Sequence, residues 1–77
     1  MAIPRDQYMV ITARDLGAAL KHFRIEAGLT QADAAEATGI GQPYLSELEG
    51  GKFGSSLTRV LRLLRFVGCE VIVRRRG

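Results

Sequence analysis

The chain has 77 residues, enough for one small domain, and 47% of them are hydrophobic. Its one cysteine excludes an internal disulfide, and Cys69 with His22 gives too few ligands for a structural zinc site. The first ten residues lack the long apolar run of a signal peptide or membrane span, so we expect a cytoplasmic protein. The net charge of +3 is uneven: residues 1–25 carry +2, residues 26–51 carry −5 and residues 52–77 carry +6.

The first predicted helix begins after Thr12, where Asp15 completes a capping box, and it ends at Gly28. Apolar residues recur along it at three- and four-residue spacing, which places them on one side. These residues are Leu16, Ala19, Leu20, Phe23 and Ala27. We therefore expect an N-terminal arm over residues 1–11, followed by a domain over residues 12–67.

The next two predicted helices are short and joined by a tight glycine turn, which is the layout of a helix-turn-helix. Thr30 and Asp33 form a second capping box, and Gly39 can adopt the left-handed conformation that ends helix 2. The buried face of helix 3 is supplied by Ile40, Leu45 and Leu48, and the outward face by Gln42, Pro43, Ser46 and Glu47. A helix with a polar outer face suits a DNA major groove.

In these two helices the chain resembles the XRE/Cro/phage-repressor family of helix-turn-helix proteins. The family pattern is LTQ, a small residue, a glycine and LExG, represented here by Leu29-Thr30-Gln31, Ala35, Gly39 and Leu48-Glu49-Gly50. The family also has an arginine late in helix 1 that pairs with the glutamate of LExG. The resemblance thus implies a structural ion pair between Arg24 and Glu49, and it covers roughly residues 13–67.

The family positions also imply which side chains face DNA. Gln42 and Glu47 would reach base edges, with Pro43 and Ser46 between them on the same side, and Gln31 would hold a phosphate. A glutamine can pair with adenine and a glutamate can accept from cytosine, so a recognition helix without arginine can still discriminate bases.

Because the helix-turn-helix segment is acidic, the basic residues that attract phosphates must lie outside it. Lys52 and Arg59 are expected to contact phosphates, while Tyr44 either contacts a phosphate or covers the small Ala34. The alternative function is a protein-interaction module that binds a partner with little DNA binding. An enzyme is not indicated, because no nucleophile–base pair, phosphate-binding loop or carboxylate pair is visible.

Helix 4 is predicted over residues 57–67, capped by Ser55 or Ser56 and stopped by Gly68. The predicted inward stripe is Leu57, Val60, Leu61, Leu64 and Val67. Arg59, Arg62 and Arg65 line the outward side, and Phe66 projects among them as a candidate interface anchor.

After Gly68 the pattern changes to β-branched residues in rough alternation, which predicts a strand over Cys69–Arg74. A strand needs another edge, either residues 8–11 of the same chain or the same strand of a second subunit, antiparallel about a two-fold axis. The residues alone leave both edges open; pairing with a second subunit would make residues 68–77 a dimerisation strand and basic tail. The expected dimer contacts are Leu63, Phe66, Cys69, Val71, Ile72 and Val73.

Four helices followed by an arginine-tipped strand resemble the HipB-type antitoxins, whose strand pairs across a dimer. The fold class expected is all-α, with four to five helices and a short C-terminal β-strand, without cofactor or metal. The resemblance implies a homodimeric repressor of a pseudo-palindromic operator, with a HipA-type kinase toxin as partner. The toxin surface would comprise Lys21, Ile25, Arg62, Arg65 and Phe66. A phage-type or restriction-controller regulator without a toxin is the third alternative.

Overall fold

The computed structural model describes residues 6–75 and has four α-helices in that range. These are α1 (Ala13–Glu26), α2 (Gln31–Thr38), α3 (Gln42–Glu49) and α4 (Leu57–Phe66). The predicted all-α helix-turn-helix arrangement is confirmed, with α2 and α3 as the motif helices. Within the described range, no helix is long and apolar enough to cross a membrane.

Both predicted capping boxes are formed. Thr12 Oγ1 accepts a hydrogen bond from the Asp15 N–H at 3.1 Å, and the Asp15 carboxylate accepts from the Thr12 N–H at 3.0 Å. Thr30 and Asp33 repeat the arrangement at 3.0 and 2.9 Å. Hydrogen bonds from the backbone N–H groups of Ile11 and Thr12 lower the pKa of Asp15. The Thr30 N–H lowers the pKa of Asp33 in the same way, so α1 and α2 begin where the sequence predicts.

Three helices end in a turn of one type, built on a glycine with positive φ. Gly28, Gly51 and Gly68 have φ values of 75°, 84° and 88°. The N–H of the residue after each glycine donates to a helix carbonyl five residues back, as in a Schellman motif. These bonds join Leu29 to Arg24, Lys52 to Glu47 and Cys69 to Leu64.

The glycine that ends α3 differs from the one singled out in the sequence. Gly50 has a φ of −83°, a value that any residue adopts. Gly51 has a φ of 84°, and a Cβ there would lie 2.6 Å from the Cα of Arg14 at the start of α1. The LExG pattern therefore ends at Gly51, because its variable position is occupied by Gly50.

The core lies where α1, α2, α3 and α4 meet, and its buried apolar side chains include the predicted inner face of α3. They are Leu20, Ala34, Ile40, Leu45, Leu48, Val60, Leu63 and Leu64. At Gly17, α1 passes so close to the end of α3 that a Cβ would lie 2.5 Å from the Leu48 carbonyl oxygen. A side chain at this position would force the two helices apart.

α4 is rotated relative to the stripe predicted from the sequence. It keeps three of the predicted residues inside, Val60, Leu64 and Val67. Leu63 is 1% exposed and joins the core, whereas Leu57 and Leu61 are 49% and 37% exposed. The assignment of Leu63 to a dimer interface is therefore wrong, because its side chain is already buried within its own chain.

The segments before α1 and after α4 form neither helices nor strands in the described residues. Residues 69–75 contain no strand, and neither do residues 8–11, so the predicted strand has no partner within the described chain. The Tyr8 ring instead lies 5.6 Å from the His22 ring of α1. An isolated segment cannot satisfy its backbone groups as a strand does. The start of the N-terminal arm, residues 1–5, and the end of the tail, residues 76–77, lie outside the described residues.

Candidate nucleic-acid interface

The outer face of α3 carries the four side chains assigned to base contacts. Gln42, Pro43, Ser46 and Glu47 are all exposed, on the side of the helix opposite to the buried leucines. Gly41 caps the helix without a side-chain hydrogen bond, and Pro43 occupies the second helical position, where it needs no backbone donor. The first turn of α3 therefore begins without a side-chain cap, and Gln42 and Pro43 project from it into solvent.

The other side of α3 is fixed by a buried ion pair. Arg24 Nε donates to Glu49 Oε2 at 2.6 Å, and Arg24 Nη2 donates to Oε1 at 3.0 Å, so the contact is bidentate. The two side chains are 8% and 3% exposed. Hydrogen bonding to Glu49 raises the pKa of Arg24. Arg24 Nη1 also donates to the Leu29 carbonyl at 2.7 Å, so one guanidinium joins α1, the loop before α2 and α3.

Gln31 belongs to the same network. Its Nε2 donates to Glu49 Oε1 at 3.0 Å, although the sequence assigned it to a DNA phosphate. An amide nitrogen carries two hydrogens, so this bond uses one donor of Gln31 and leaves the second for another acceptor. This bond therefore ties the start of α2 to the end of α3.

Tyr44 connects α3 to α4. Its ring packs against the core while its hydroxyl is hydrogen-bonded to Ser56 Oγ. Arg59 Nη1 donates to the Tyr44 hydroxyl at 3.2 Å, with the guanidinium carbon 5.3 Å from the ring centroid. The hydrogen bond with Ser56, supplemented by Arg59, lowers the pKa of Tyr44. Tyr44 therefore covers the core and also orients Arg59.

Arg62 lies beside the turn between α2 and α3. Its Nη2 donates to the Thr38 carbonyl oxygen at 2.7 Å, which satisfies the end of α2. Arg62, Arg59 and Tyr44 line one side of a cleft of about 320 Å³, and the turn over residues 38–41 lines the other. Arg62, which the sequence assigned to a toxin surface, is thus next to the helix-turn-helix.

The remaining residues of the proposed toxin surface are exposed on α1 and α4. They are Lys21, Ile25, Arg65 and Phe66. Phe66 was also assigned to the dimer, together with Cys69, Val71, Ile72 and Val73. Cys69 packs against the core, and burial raises the pKa of its thiol, whereas the three residues after Glu70 are exposed.

The charges around the motif are separated. Asp33, Glu36 and Glu47 are exposed on α2 and α3, while exposed Lys52 and Arg59 follow α3 in the chain. The positive charge nearest α3 along the chain is therefore at the start of α4 and in the loop before it, where it can attract phosphates.

Sequence reasoning missed two contributors to this interface. Ser56 was expected only as a helix cap, but no side-chain cap forms there and its hydroxyl binds Tyr44. No local signal could have revealed this contact, because its partner is twelve residues away. Gly17 was also missed, although a glycine inside a helix often marks a close approach.

Comparison with known proteins gives two similarities. A family model described as a helix-turn-helix domain matches residues 15–76. The chain is also 33% identical over 60 residues to y4mF of Sinorhizobium fredii, which is named as an uncharacterized HTH-type transcriptional regulator. That alignment covers 78% of this chain and 79% of the relative. The matched family range contains α2, α3, α4 and all but the first two residues of α1.

Proposed function

Because the chain belongs to the helix-turn-helix domain family, we propose that it is a sequence-specific DNA-binding protein that represses transcription. The observation that carries the proposal is the geometry of α3. Its outer face exposes polar groups, while its inner face is fixed by the buried pair of Arg24 and Glu49. Such a helix can place its polar outer face in a major groove while its inner face stays packed against the rest of the domain.

The base contacts follow from the chemistry of the exposed groups. Gln42 can donate to and accept from adenine, and Glu47 can accept from the amino group of cytosine. Ser46 can bond to several bases, and the apolar ring of Pro43 suits a thymine methyl. At about 100° per residue, all four side chains fall on one side of α3.

Phosphate contacts are proposed on both sides of α3. A helix in the major groove has a phosphate strand on each side. Gln31 is anchored through Glu49 on one flank, and Tyr44 positions Arg59 on the other. With Lys52, these residues would hold the backbone while α3 contacts the bases.

We further propose that the protein acts as a homodimer on a pseudo-palindromic operator. Two recognition helices about 34 Å apart would reach half-sites one helical turn apart, or a multiple of it. The support is the apolar, exposed segment after α4, in which Val71, Ile72 and Val73 are 56%, 64% and 97% exposed. A 77-residue chain also gains stability from such a partner.

The specific biological role proposed is that of an autoregulating antitoxin in the cytoplasm, with a HipA-type kinase toxin as its partner. The resemblance to HipB-type antitoxins and the exposed apolar groups Ile25 and Phe66 support it. The double variant Ile25→Asp with Phe66→Asp should lose co-purification with the toxin while retaining its fold and DNA binding. Unchanged co-purification would exclude this surface.

A pair of variants tests the proposed division between base and phosphate contacts. Gln42→Ala should cost about 1–3 kcal/mol on the preferred site and relax the preference at one base pair per half-site. Lys52→Ala should weaken binding to all sequences alike and reduce the salt dependence by about one unit per contact. Fluorescence anisotropy on matched and substituted DNA duplexes at several salt concentrations measures both effects. If Gln42→Ala weakens every sequence equally, it is not a base contact.

A further inference from the structure

The segment after α4 is attached to the domain at one end and unsupported beyond it. The Cys69 N–H donates to the Leu64 carbonyl at 2.8 Å, and the Cys69 side chain packs against the core. Among the described residues, no backbone hydrogen bond involves residues 70–75. Three consecutive β-branched residues in this segment are nevertheless more than half exposed. Such a segment exposes both apolar surface and unpaired backbone groups.

The order of the side chains in this segment is self-complementary. From Glu70 to Arg74 the residues are an acid, valine, isoleucine, valine and a base. In the reverse direction the three apolar residues keep the same order, and only the acid and the base exchange places. Two antiparallel copies centred on Ile72 therefore place each Val71 opposite the partner's Val73 and each Glu70 opposite the partner's Arg74.

Other registers lose this complementarity. A shift of the two-fold centre by half a residue or one residue in either direction places a charged residue opposite a valine or isoleucine. A parallel pair in register would place Glu70 opposite the partner's Glu70 and Arg74 opposite the partner's Arg74, which is unfavourable. Residues 8–11, the alternative edge, carry no charge to pair with Glu70 or Arg74.

We propose that the two copies of residues 69–75 in this homodimer pair in one antiparallel register, the one that places the two-fold axis at Ile72. This inference rests on the proposed homodimer and specifies its register. Alternate side chains place Val71 and Val73 on the face of Cys69, which contacts the core. The other face has the two Ile72 side chains at its centre and a Glu70–Arg74 pair on each side.

Disulfide trapping tests the register directly. In a Cys69→Ser background, Ile72→Cys places two thiols opposite each other, with Cα atoms about 4.5–5.5 Å apart. Val71→Cys and Val73→Cys are matched controls, because their own symmetry mates are diagonal neighbours about 7–8 Å apart. Ile72→Cys should therefore form covalent dimers at least about tenfold faster than either control. A mixture of the Val71→Cys and Val73→Cys chains should cross-link with each other.

A charge exchange provides a second readout that needs no cysteine. Glu70→Arg opposes two like charges and should weaken the dimer about tenfold, since two cross-strand pairs are affected. Adding Arg74→Glu restores opposite charges and should restore the dimer dissociation constant. Adding Arg75→Glu instead makes the same change in net charge at the next residue and should not restore it. Sedimentation at several protein concentrations measures these constants.

The outcomes separate this register from the proposed function. Equal cross-linking of Val71→Cys and Ile72→Cys in a protein that sediments as a dimer overturns the register and leaves the homodimer standing. A wild-type protein that is monomeric at micromolar concentration overturns both the register and the homodimer. DNA binding, measured separately on the same samples, shows whether the proposed recognition by α3 stands without them.

Discussion

At the scale of single residues, the buried pair of Arg24 and Glu49 is the structural basis of the interface. Both charges are removed from water and satisfied by each other, by Gln31 and by the Leu29 carbonyl. A buried charge without its partner is costly, because desolvation is no longer offset. The orientation of α3 therefore depends on residues that need not touch DNA.

Replacing Glu49 by alanine tests this dependence. Glu49→Ala leaves the guanidinium of Arg24 buried without its carboxylate, so the free energy of unfolding should fall by about 3–5 kcal/mol. Glu36→Ala, on the exposed side of α2, is a matched control and should change it by about 0.5 kcal/mol or less. Urea denaturation followed by circular dichroism measures both. Equal effects of the two substitutions would show that the pair does not support the fold.

The sequence alone predicts the local contacts well and the distant ones poorly. The Thr12–Asp15 and Thr30–Asp33 boxes were predictable because both partners lie within one helical turn. The ion pair came from the family resemblance, since nothing in the 25-residue separation itself indicates contact. Tyr44, Ser56 and Arg59 could not be connected, because only the fold brings α3 and α4 together.

At the scale of elements, the helix ends determine how closely the helices pack. The chain leaves α3 through Gly51 and passes over the backbone of Arg14. α1 and α3 can therefore approach only if this position lacks a side chain. The sequence signal was a pair of glycines, and only the backbone geometry distinguishes Gly50 from Gly51.

Two alanine substitutions separate the roles of these glycines. Gly51→Ala combines a left-handed φ with a Cβ 2.6 Å from Arg14 Cα, and it should destabilise the protein by about 2–5 kcal/mol. At Gly50 the nearest atom to an added Cβ is 3.4 Å away and φ is −83°, so Gly50→Ala should cost less than about 1 kcal/mol. Thermal denaturation of both variants measures the difference. A larger loss for Gly50→Ala would contradict the assignment of the left-handed glycine to position 51.

The helix starts predict how stability depends on pH. The pKa values of Asp15 and Asp33 are lowered in the folded chain by backbone hydrogen bonds. Their stabilisation is therefore fully present above the unfolded-state pKa, about 3.8–3.9 for aspartate, and is lost as pH falls through the lower folded-state values. The melting temperature should therefore decrease as the pH is lowered below about 4. In the double variant Asp15→Asn with Asp33→Asn, the melting temperature should decrease less over the same pH range than in the wild type.

The control for the pH prediction is Glu36→Gln, which changes an exposed carboxyl group of α2 outside the capping boxes. Its melting temperature should follow that of the wild type between pH 7 and pH 2. An aspartate double variant that retains the full acid dependence would mean that the capping carboxylates do not contribute to it.

The secondary structure was predictable to different degrees along the chain. The four helices follow from caps, glycines and apolar spacing, and they lie where these signals place them. The inward face of α4 was misjudged because leucines occupy two overlapping stripes, and only contact with α1 selects the one containing Leu63. Whether the C-terminal segment forms a strand could not be decided from the sequence. Its β-propensity shows that it suits a sheet, but not that a partner edge exists.

At the scale of the whole molecule, the domain combines an acidic recognition motif with cations placed around it. Glu36 and Glu47 repel phosphates near the motif, while Lys52 and Arg59 attract them at its edge. Nonspecific binding should therefore be weak, and correct alignment on a preferred sequence should account for a large part of the affinity. This charge balance is what the proposed sequence-specific function would require, in contrast to a generally basic DNA-binding protein.

Selection from a random duplex library with the purified protein tests the central claim, recognition of bases by the outer face of α3. The protein should enrich one motif with two related half-sites, and bind it about 10³-fold or more tightly than a scrambled duplex at physiological salt. A Gln42→Ala protein carried through the same selection should enrich a motif with one relaxed position per half-site. Enrichment of no motif, or equal affinity for selected and scrambled DNA, would contradict the claim.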